Sequence, residues 1–111
     1  MSILVTGGTG YIGSHTVVEL INKGYDVVIV DNLSNSKYEV TNRIKTITNK
    51  AVNFYQIDVC DKASLKEVFK RHSIDAAIHF AGLKAVGEST VMPMKYYENN
   101  IMSTLSLIEV M

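Results

Sequence analysis

Short apolar runs along the chain alternate with segments in which apolar residues recur at helical spacing. The runs are nearly continuous and rich in valine and isoleucine, which is typical of strands buried on both faces. They predict four strands, at residues 2–6, 25–31, 51–57 and 75–80. The intervening spacing predicts helices at residues 11–23, 36–48 and 61–72, and Pro93 fits the first turn of a fourth helix.

The predicted helices carry an apolar face and recognisable end signals. Val40, Ile44 and Ile47 share one face of the second helix, which we expect to pack on the sheet. Ser64 and Glu67 have the spacing of a capping box at the start of the third helix. Both features favour short helices that pack on a sheet.

Alternating strands and helices favour an α/β fold in which helices cover both faces of a parallel sheet. Right-handed crossovers predict a doubly wound, three-layer arrangement of about four strands in the order 3-2-1-4. The apolar pattern is still running at Leu105 and Ile108. Four strands are few for this architecture, and no helix stop signal stands at Met111, so the pattern favours a fold that continues beyond this residue.

Composition and charge narrow the classes of function. Hydrophobic residues make up 47% of the chain, charged residues 20%, and the formal net charge is zero. This balance gives no attraction to nucleic acid or to an anionic membrane, and no apolar stretch reaches the roughly 20 residues that span a bilayer. The first strand begins at Ser2, which leaves no room for a targeting peptide, and the single Cys60 fits a reducing compartment. We expect a cytoplasmic protein.

The segment TGGTGYIG, from Thr6 to Gly13, places four glycines in eight residues between the first strand and the first helix. It matches G-x-G-x-x-G from Gly8 and G-x-x-G-x-x-G from Gly7. The amino end of a helix offers unpaired N–H groups and partial positive charge, so a pyrophosphate fits there when no side chain blocks its approach. This context predicts a dinucleotide site. The alternative is a tight turn without a ligand.

Asp31 ends the second predicted strand, 18 residues after Gly13. A carboxylate in that place can accept hydrogen bonds from the adenosine ribose hydroxyls and would repel a 2′-phosphate. Asp31 therefore favours NAD over NADP as the cofactor. The alternative for Asp31 alone is a solvated loop acid or a helix cap.

Three segments, TGGTGYIGSHT, VDNLSNS and HFAGLKAVGES, together with YYENN near the end, resemble the extended short-chain dehydrogenase/reductase family. Within it the chain is most similar to the UDP-glucose 4-epimerase group, and the resemblance covers residues 1–111. It implies a Rossmann-type fold, bound NAD, and inversion of C4 of a UDP-hexose by transient hydride transfer through a 4-keto intermediate. It also implies that residues 1–111 are the amino-terminal portion of the NAD-binding domain, and that the remaining strands and a substrate domain lie beyond Met111. Another NAD-dependent sugar-nucleotide dehydratase or reductase, and a non-catalytic NAD-binding module, remain as alternatives.

The resemblance also implies which residues of this chain contact the cofactor. Those near the pyrophosphate are Gly7, Gly10, Tyr11, Ile12 and Gly13. Those around the adenosine ribose are Asp31, Asn32, Leu33, Ser34, Asn35 and Ser36. Those at the adenine are Asp58 and Val59, and those toward the nicotinamide are Phe80, Ala81, Gly82, Leu83, Lys84 and Asn99. Each has a plainer alternative: Asp58 as a helix cap, Lys84 as a solvated lysine, Asn99 as a surface residue.

The chain departs from the family in its catalytic motif. The family uses a tyrosine with a lysine four residues later, and none of the six tyrosines here has that partner. We therefore predict no catalytic residue within the chain, interpret Tyr96 and Tyr97 as packing residues, and expect the 111-residue chain to be inactive. The three histidines lack metal-ligand spacing, so no metal site is predicted.

The predicted fourth strand and the last helix favour association between copies of the chain. The strand's outer neighbour in the family is missing here, which leaves an apolar edge able to pair with another chain. Ile101, Leu105 and Ile108 would form an exposed apolar patch on the last helix. We expect a homodimer or another self-associated state.

Overall fold

The computed structural model describes residues 1–33, 37–81 and 93–111, apart from the side chains of Tyr96 and Tyr97. The strands in this part of the chain are β1 (Ser2–Thr6), β2 (Asp26–Asp31), β3 (Asn53–Gln56) and β4 (Ile74–His79). The helices are α1 (Tyr11–Asn22), α2 (Glu39–Thr48), α3 (Lys62–Arg71) and α4 (Pro93–Val110). Each predicted element is present, and Pro93 begins α4 as expected.

The four strands form one parallel sheet in the order β3-β2-β1-β4, which confirms the predicted order. In the centre of the sheet, Leu4 of β1 pairs with Val28 of β2 and with Ala77 of β4. Because all four strands are parallel, their carboxyl ends lie at the same edge of the sheet, where open α/β sheets bind ligands.

Two hydrophobic clusters lie on opposite faces of the sheet, as a three-layer fold requires. On one face Val27 and Ile29 pack with α1 and α2, and the buried members of that cluster are Ile3, Val5, Val17, Ile21, Val27, Ile29 and Ile44. On the other face Val28 and Val30 pack with α3 and α4, and the buried members are Leu4, Val28, Val30, Val59, Leu65, Val68 and Leu107. Burial of each such side chain contributes about 1.5–3 kcal/mol to the free energy of unfolding, so the contacts on both faces of β2 stabilise the sheet.

The first turn of α3 corrects one prediction. Asp61, not Ser64, is the N-cap: its carboxylate accepts a hydrogen bond from Ser64 N at 3.3 Å and another from Ser64 Oγ at 2.8 Å. The predicted capping box of Ser64 and Glu67 is wrong because an acid three residues earlier already satisfies the first-turn amide. These hydrogen bonds lower the pKa of Asp61 below its ordinary value.

Two element boundaries and one apolar face also differ from expectation. The helix predicted over 36–48 is observed at Glu39–Thr48, and the strand predicted over 51–57 is observed at Asn53–Gln56. The buried face of α2 carries Thr41 and Ile44, whereas Ile47 is 67% exposed. Because the buried face is centred between Thr41 and Ile44, the helical repeat turns Ile47 toward its edge.

Candidate functional site

The loop between β1 and α1 closes tightly over the ends of the neighbouring strands. Gly7 has a φ of +69°, and its N–H donates to Val30 O at 2.9 Å. A Cβ at Gly7 would lie 2.8 Å from Ala81 N, just beyond β4. Only glycine combines this left-handed conformation with so close an approach. The loop therefore joins the ends of β1, β2 and β4.

Gly13 and Gly10 serve different purposes in the same loop. A Cβ at Gly13 would stand 2.1 Å from Gly7 O, so a side chain there would push α1 off its own loop. Glycine at position 13 therefore lets the first turn of α1 lie directly against the glycine loop. At Gly10 a Cβ would meet only Gly7 O, at 3.3 Å, and the backbone is extended. A side chain at position 10 would require Gly7 O to shift by only a few tenths of an ångström, much less than at position 13.

The amino end of α1 is suited to an anion. Gly10 is its N-cap, no described side chain caps the helix, and its first turn carries no acidic residue. Tyr11 and Ile12 hold exposed side chains, at 83% and 58%. The first-turn N–H groups of a helix have no partner within the helix and lie at its positive end, so the start of α1 can receive a phosphate group.

The Asp31 carboxylate is buried and joins two loops. Its Oδ2 accepts hydrogen bonds from Thr9 Oγ1 at 2.5 Å and from Thr9 N at 3.3 Å. Its Oδ1 accepts a hydrogen bond from Leu33 N at 2.9 Å. Asp31 is 9% exposed and caps no helix, so both plainer alternatives, a solvated acid and a helix cap, are wrong. A buried carboxylate with fixed donors is a defined acceptor for a ligand hydroxyl.

The chain beyond Asp31 follows an unusual path. Asn32 is exposed, and Leu33 adopts a left-handed conformation with φ of 60°. A non-glycine residue in this region is uncommon, and here the hydrogen bond from Leu33 N to Asp31 holds it. The ribose positions predicted next, at residues 34–36, lie outside the described part of the chain.

Asp58 and Val59 follow β3, at the same edge of the sheet. Asp58 is exposed, and its Oδ1 accepts a hydrogen bond from Cys60 N at 2.9 Å. Because Asp61 caps α3, the alternative of Asp58 as that cap is wrong. Val59 is 4% exposed and belongs to the hydrophobic cluster under α3 and α4. Burial, and secondarily Asp58, raises the pKa of the Cys60 thiol.

Thr6, the last residue of β1, holds the end of β4 in place. Thr6 O accepts a hydrogen bond from Phe80 N at 3.0 Å, and Thr6 Oγ1 accepts one from Ala81 N at 3.2 Å. The same hydroxyl lies 2.6 Å from His79 Nδ1, whose ring reaches Ser103 Oγ on α4 through Nε2 at 3.5 Å. Phe80 and Ala81, the first two residues expected near the nicotinamide, are thus held at the end of β1.

Asn99 lies on α4 at partial burial, and its main-chain oxygen accepts a hydrogen bond from Cys60 Sγ at 3.7 Å. Other predicted residues fall outside the described part of the chain: Ser34, Asn35, Ser36, Gly82, Leu83 and Lys84. The histidines have structural contacts: His72 Nε2 is 2.8 Å from Tyr55 OH, and His15 lies edge-on to Tyr11. Within the described ranges there is no cluster of three or more metal-ligating side chains.

Two site residues escaped the sequence reasoning. Thr9 occupies a variable position of the glycine motif, so the motif assigns it no role, yet its hydroxyl reaches Asp31, 22 residues away. In the sequence Thr6 is an ordinary residue of the first predicted strand, although its hydroxyl accepts a hydrogen bond from Ala81 N. Their one common signal in the sequence is a small hydroxyl side chain beside the glycines.

A parallel sheet in this order, with a glycine loop leading into an uncapped helix and an acid ending the next strand, defines a Rossmann-type nucleotide-binding domain. A family model described as GDP-mannose 4,6 dehydratase matches residues 4–111. The chain belongs to that family.

Curated relatives carry a more specific name. The chain is 58% identical over 111 residues to a UDP-glucose 4-epimerase of Bacillus subtilis, covering 100% of this chain and 33% of the relative. It is 59% identical over 110 residues to the UDP-glucose 4-epimerase uge1 of Schizosaccharomyces pombe, covering 99% of this chain and 31% of the relative. The chain spans about a third of the length of these relatives. Their identity to this chain confirms the resemblance to the epimerase group.

Solved structures agree in fold. The UDP-glucose 4-epimerase of Bifidobacterium longum, in complex with NAD+ and UDP, superposes with a TM-score of 0.98 at 53% identity. It is covered over 33% of its length by 100% of this chain. The enzyme of Stenotrophomonas maltophila, with bound NAD and formylated UDP-arabinopyranose, has a TM-score of 0.97 at 48% identity, with the same coverage. These neighbours confirm the Rossmann-type fold class.

Proposed function

We propose that this chain forms the NAD-binding, amino-terminal part of a UDP-glucose 4-epimerase, which inverts C4 of a UDP-hexose through a 4-keto intermediate. The observation that carries the proposal is that the start of α1, which no described side chain caps, follows a loop bonded through Thr9 to the buried Asp31 carboxylate. The first-turn amides of α1 suit the cofactor's pyrophosphate, and Asp31 suits its adenosine ribose. NAD is bound in the solved epimerases of Stenotrophomonas maltophila and Bifidobacterium longum, which share this fold.

The residues present fit NAD in four places. Gly10, open on the side away from Gly7, leaves room for the pyrophosphate beside Tyr11 and Ile12. Asp31 accepts from the ribose, with Asn32 and Leu33 beside it and Ser34, Asn35 and Ser36 proposed to follow. Asp58 and Val59 flank the adenine. Phe80, Ala81 and Asn99 are proposed to contact the nicotinamide half, and Gly82, Leu83 and Lys84, outside the described residues, are proposed to follow them. Of these, Phe80 and Ala81 are bonded to Thr6.

Bound NAD supplies a hydride acceptor and donor for the sugar carbon. The chain's own part is to bind and orient that cofactor. No Tyr-x-x-x-Lys motif occurs among the 111 residues, so we assign no proton transfer to any of them. The base, the remaining strands and the substrate domain are proposed to lie outside this sequence. A dehydratase or reductase is less favoured, because six curated relatives at 56–59% identity with this chain are named UDP-glucose 4-epimerases.

An epimerase assay tests this proposal. The natural gene product should interconvert UDP-glucose and UDP-galactose, whereas the purified 111-residue chain should not, because it lacks the general base. A gene product that binds NAD but acts only on another sugar nucleotide would replace the epimerase assignment. Turnover by the 111-residue chain would mean that one of its own residues is the base.

We further propose that copies of the chain associate through α4 into a homodimer. Ile101, Leu105 and Ile108 are 39%, 46% and 62% exposed and share one face, opposite the buried Leu107. Burying such an apolar stripe against a second copy removes it from water. No helix in the described ranges is long and apolar enough to cross a membrane. A cytoplasmic location stays a prediction, supported by the single free Cys60.

A further inference from the structure

Thr9 stands between the two loops that surround the proposed nucleotide site. It belongs to the glycine loop, is 2% exposed, and directs its hydroxyl to Asp31 Oδ2 at 2.5 Å. Its backbone N–H points to the same oxygen at 3.3 Å. A hydrogen bond to a buried carboxylate is charge-assisted, and such bonds are among the stronger ones in proteins.

The Asp31 carboxylate is consequently held from both sides. Thr9 binds Oδ2 from the glycine loop, and Leu33 N binds Oδ1 from the loop after β2. A carboxylate has about four acceptor sites, so these three donors fix its plane and leave it able to accept from a ligand hydroxyl. Loss of the Thr9 hydroxyl would leave Oδ2 with only the longer hydrogen bond from Thr9 N, so the carboxylate would be held less firmly in the position at which a ribose would meet it.

We propose that Thr9 is a positioning residue: its hydroxyl fixes the Asp31 carboxylate for the adenosine ribose and thereby sets the preference for NAD over NADP. This inference rests on the proposed NAD-binding function. Thr9 acts through Asp31, with no need to touch the cofactor itself. A purely structural role predicts a loss of stability alone, whereas positioning predicts a change in cofactor affinity that depends on the carboxylate.

Four variants of the natural gene product separate these roles, each freed of bound nucleotide and titrated calorimetrically with NAD and with NADP. Thr9→Val keeps the shape and removes the hydroxyl, whereas Thr9→Ser keeps the hydroxyl. Asp31→Asn removes the charge, and Thr9→Val with Asp31→Asn completes a double-mutant cycle. Thr41→Val is the matched control, because Thr41 is a buried threonine whose hydroxyl donates to Tyr38 O, at the N-cap of α2.

The proposal expects Thr9→Val to weaken NAD binding about tenfold or more, as for loss of a hydrogen bond to a charged group. NADP affinity should change less, so the NAD preference should fall. Thr9→Ser and Thr41→Val should retain wild-type affinity, and Thr9→Val should add nothing in the Asp31→Asn background. If Thr9→Val does not fold, as judged by circular dichroism, Thr9→Ala takes its place in the same comparisons.

Three results would overturn the inference. One is wild-type NAD affinity and preference in a folded Thr9→Val variant, and another is a Thr9→Ser variant as weak as Thr9→Val. The third is an equal loss from Thr9→Val in the wild-type and Asp31→Asn backgrounds. In each case the wild-type protein still binds NAD, so the proposed function stands. A wild-type protein that binds no NAD would instead overturn both.

Discussion

The Asp31 carboxylate is buried, and a buried carboxylate is stable only when hydrogen bonds compensate for the loss of water. Burial of an ion without partners is costly, and Asp31 avoids that cost through three donors from Thr9 and Leu33. The sequence predicted where this acid lies, because the apolar pattern of the second strand ends at Asp31. Its hydrogen-bond partners could not be predicted, since they depend on how two loops fold together.

Asp31→Asn should weaken NAD binding by roughly 1.5–3 kcal/mol and reduce discrimination against NADP, since the amide no longer offers a charged acceptor or repels a 2′-phosphate. Titration of both cofactors measures the two effects. Asp26→Asn, at the exposed other end of β2, is the control and should leave both affinities unchanged. Unchanged NAD affinity in Asp31→Asn would contradict the ribose assignment.

Gly10 and Gly13 should respond differently to an added side chain. Gly13→Ala should lower the free energy of unfolding by about 1–3 kcal/mol, because the new Cβ would overlap Gly7 O. Gly10→Val should keep the fold and abolish NAD binding, because its side chain would occupy the space left for the pyrophosphate. Thermal unfolding and NAD titration separate the effects. A folded Gly10→Val variant with wild-type NAD affinity would rule out this location of the phosphate.

At the scale of elements, the sequence predicted the strands best where they are buried on both faces. β1 and β2 are nearly continuous in apolar residues and contribute buried side chains to both clusters, and β1 was predicted at its observed bounds. β3 was predicted too long because its ends, at Ala51 and Ile57, are apolar yet lie outside the ladder. The start of α3 was misread because Asp61 and Ser64 are both good caps, and only the hydrogen bonds distinguish them.

The Asp61 cap predicts a pH dependence of stability. The folded-state pKa is lowered, so the contribution of the charged cap is fully present above the ordinary aspartate pKa and is lost as pH falls through the lower folded value. Asp61→Asn keeps a cap without the charge. Its melting temperature should lie below wild type at neutral pH and converge with it below about pH 3.9. A difference that stays constant on acidification would contradict the charged cap.

At the scale of the whole molecule, both faces of the sheet are covered while one face of α4 is left bare. Leu105→Glu should shift the protein toward monomer, because the added charge lies in the middle of the apolar stripe of Ile101, Leu105 and Ile108. Thr46→Glu adds the same charge to an exposed threonine of α2, on the other side of the sheet, and should not. Light scattering over a concentration series measures both. A wild-type protein that is monomeric from micromolar to millimolar concentration would contradict the association.

The central claim concerns where NAD binds, and a crystal structure of the natural gene product with NAD tests it most directly. We expect pyrophosphate oxygens within hydrogen-bonding distance, about 2.7–3.2 Å, of the backbone N–H groups of Tyr11 and Ile12. We also expect an adenosine ribose hydroxyl to donate to Asp31. A pyrophosphate away from the start of α1, or a ribose without contact to Asp31, would contradict the account.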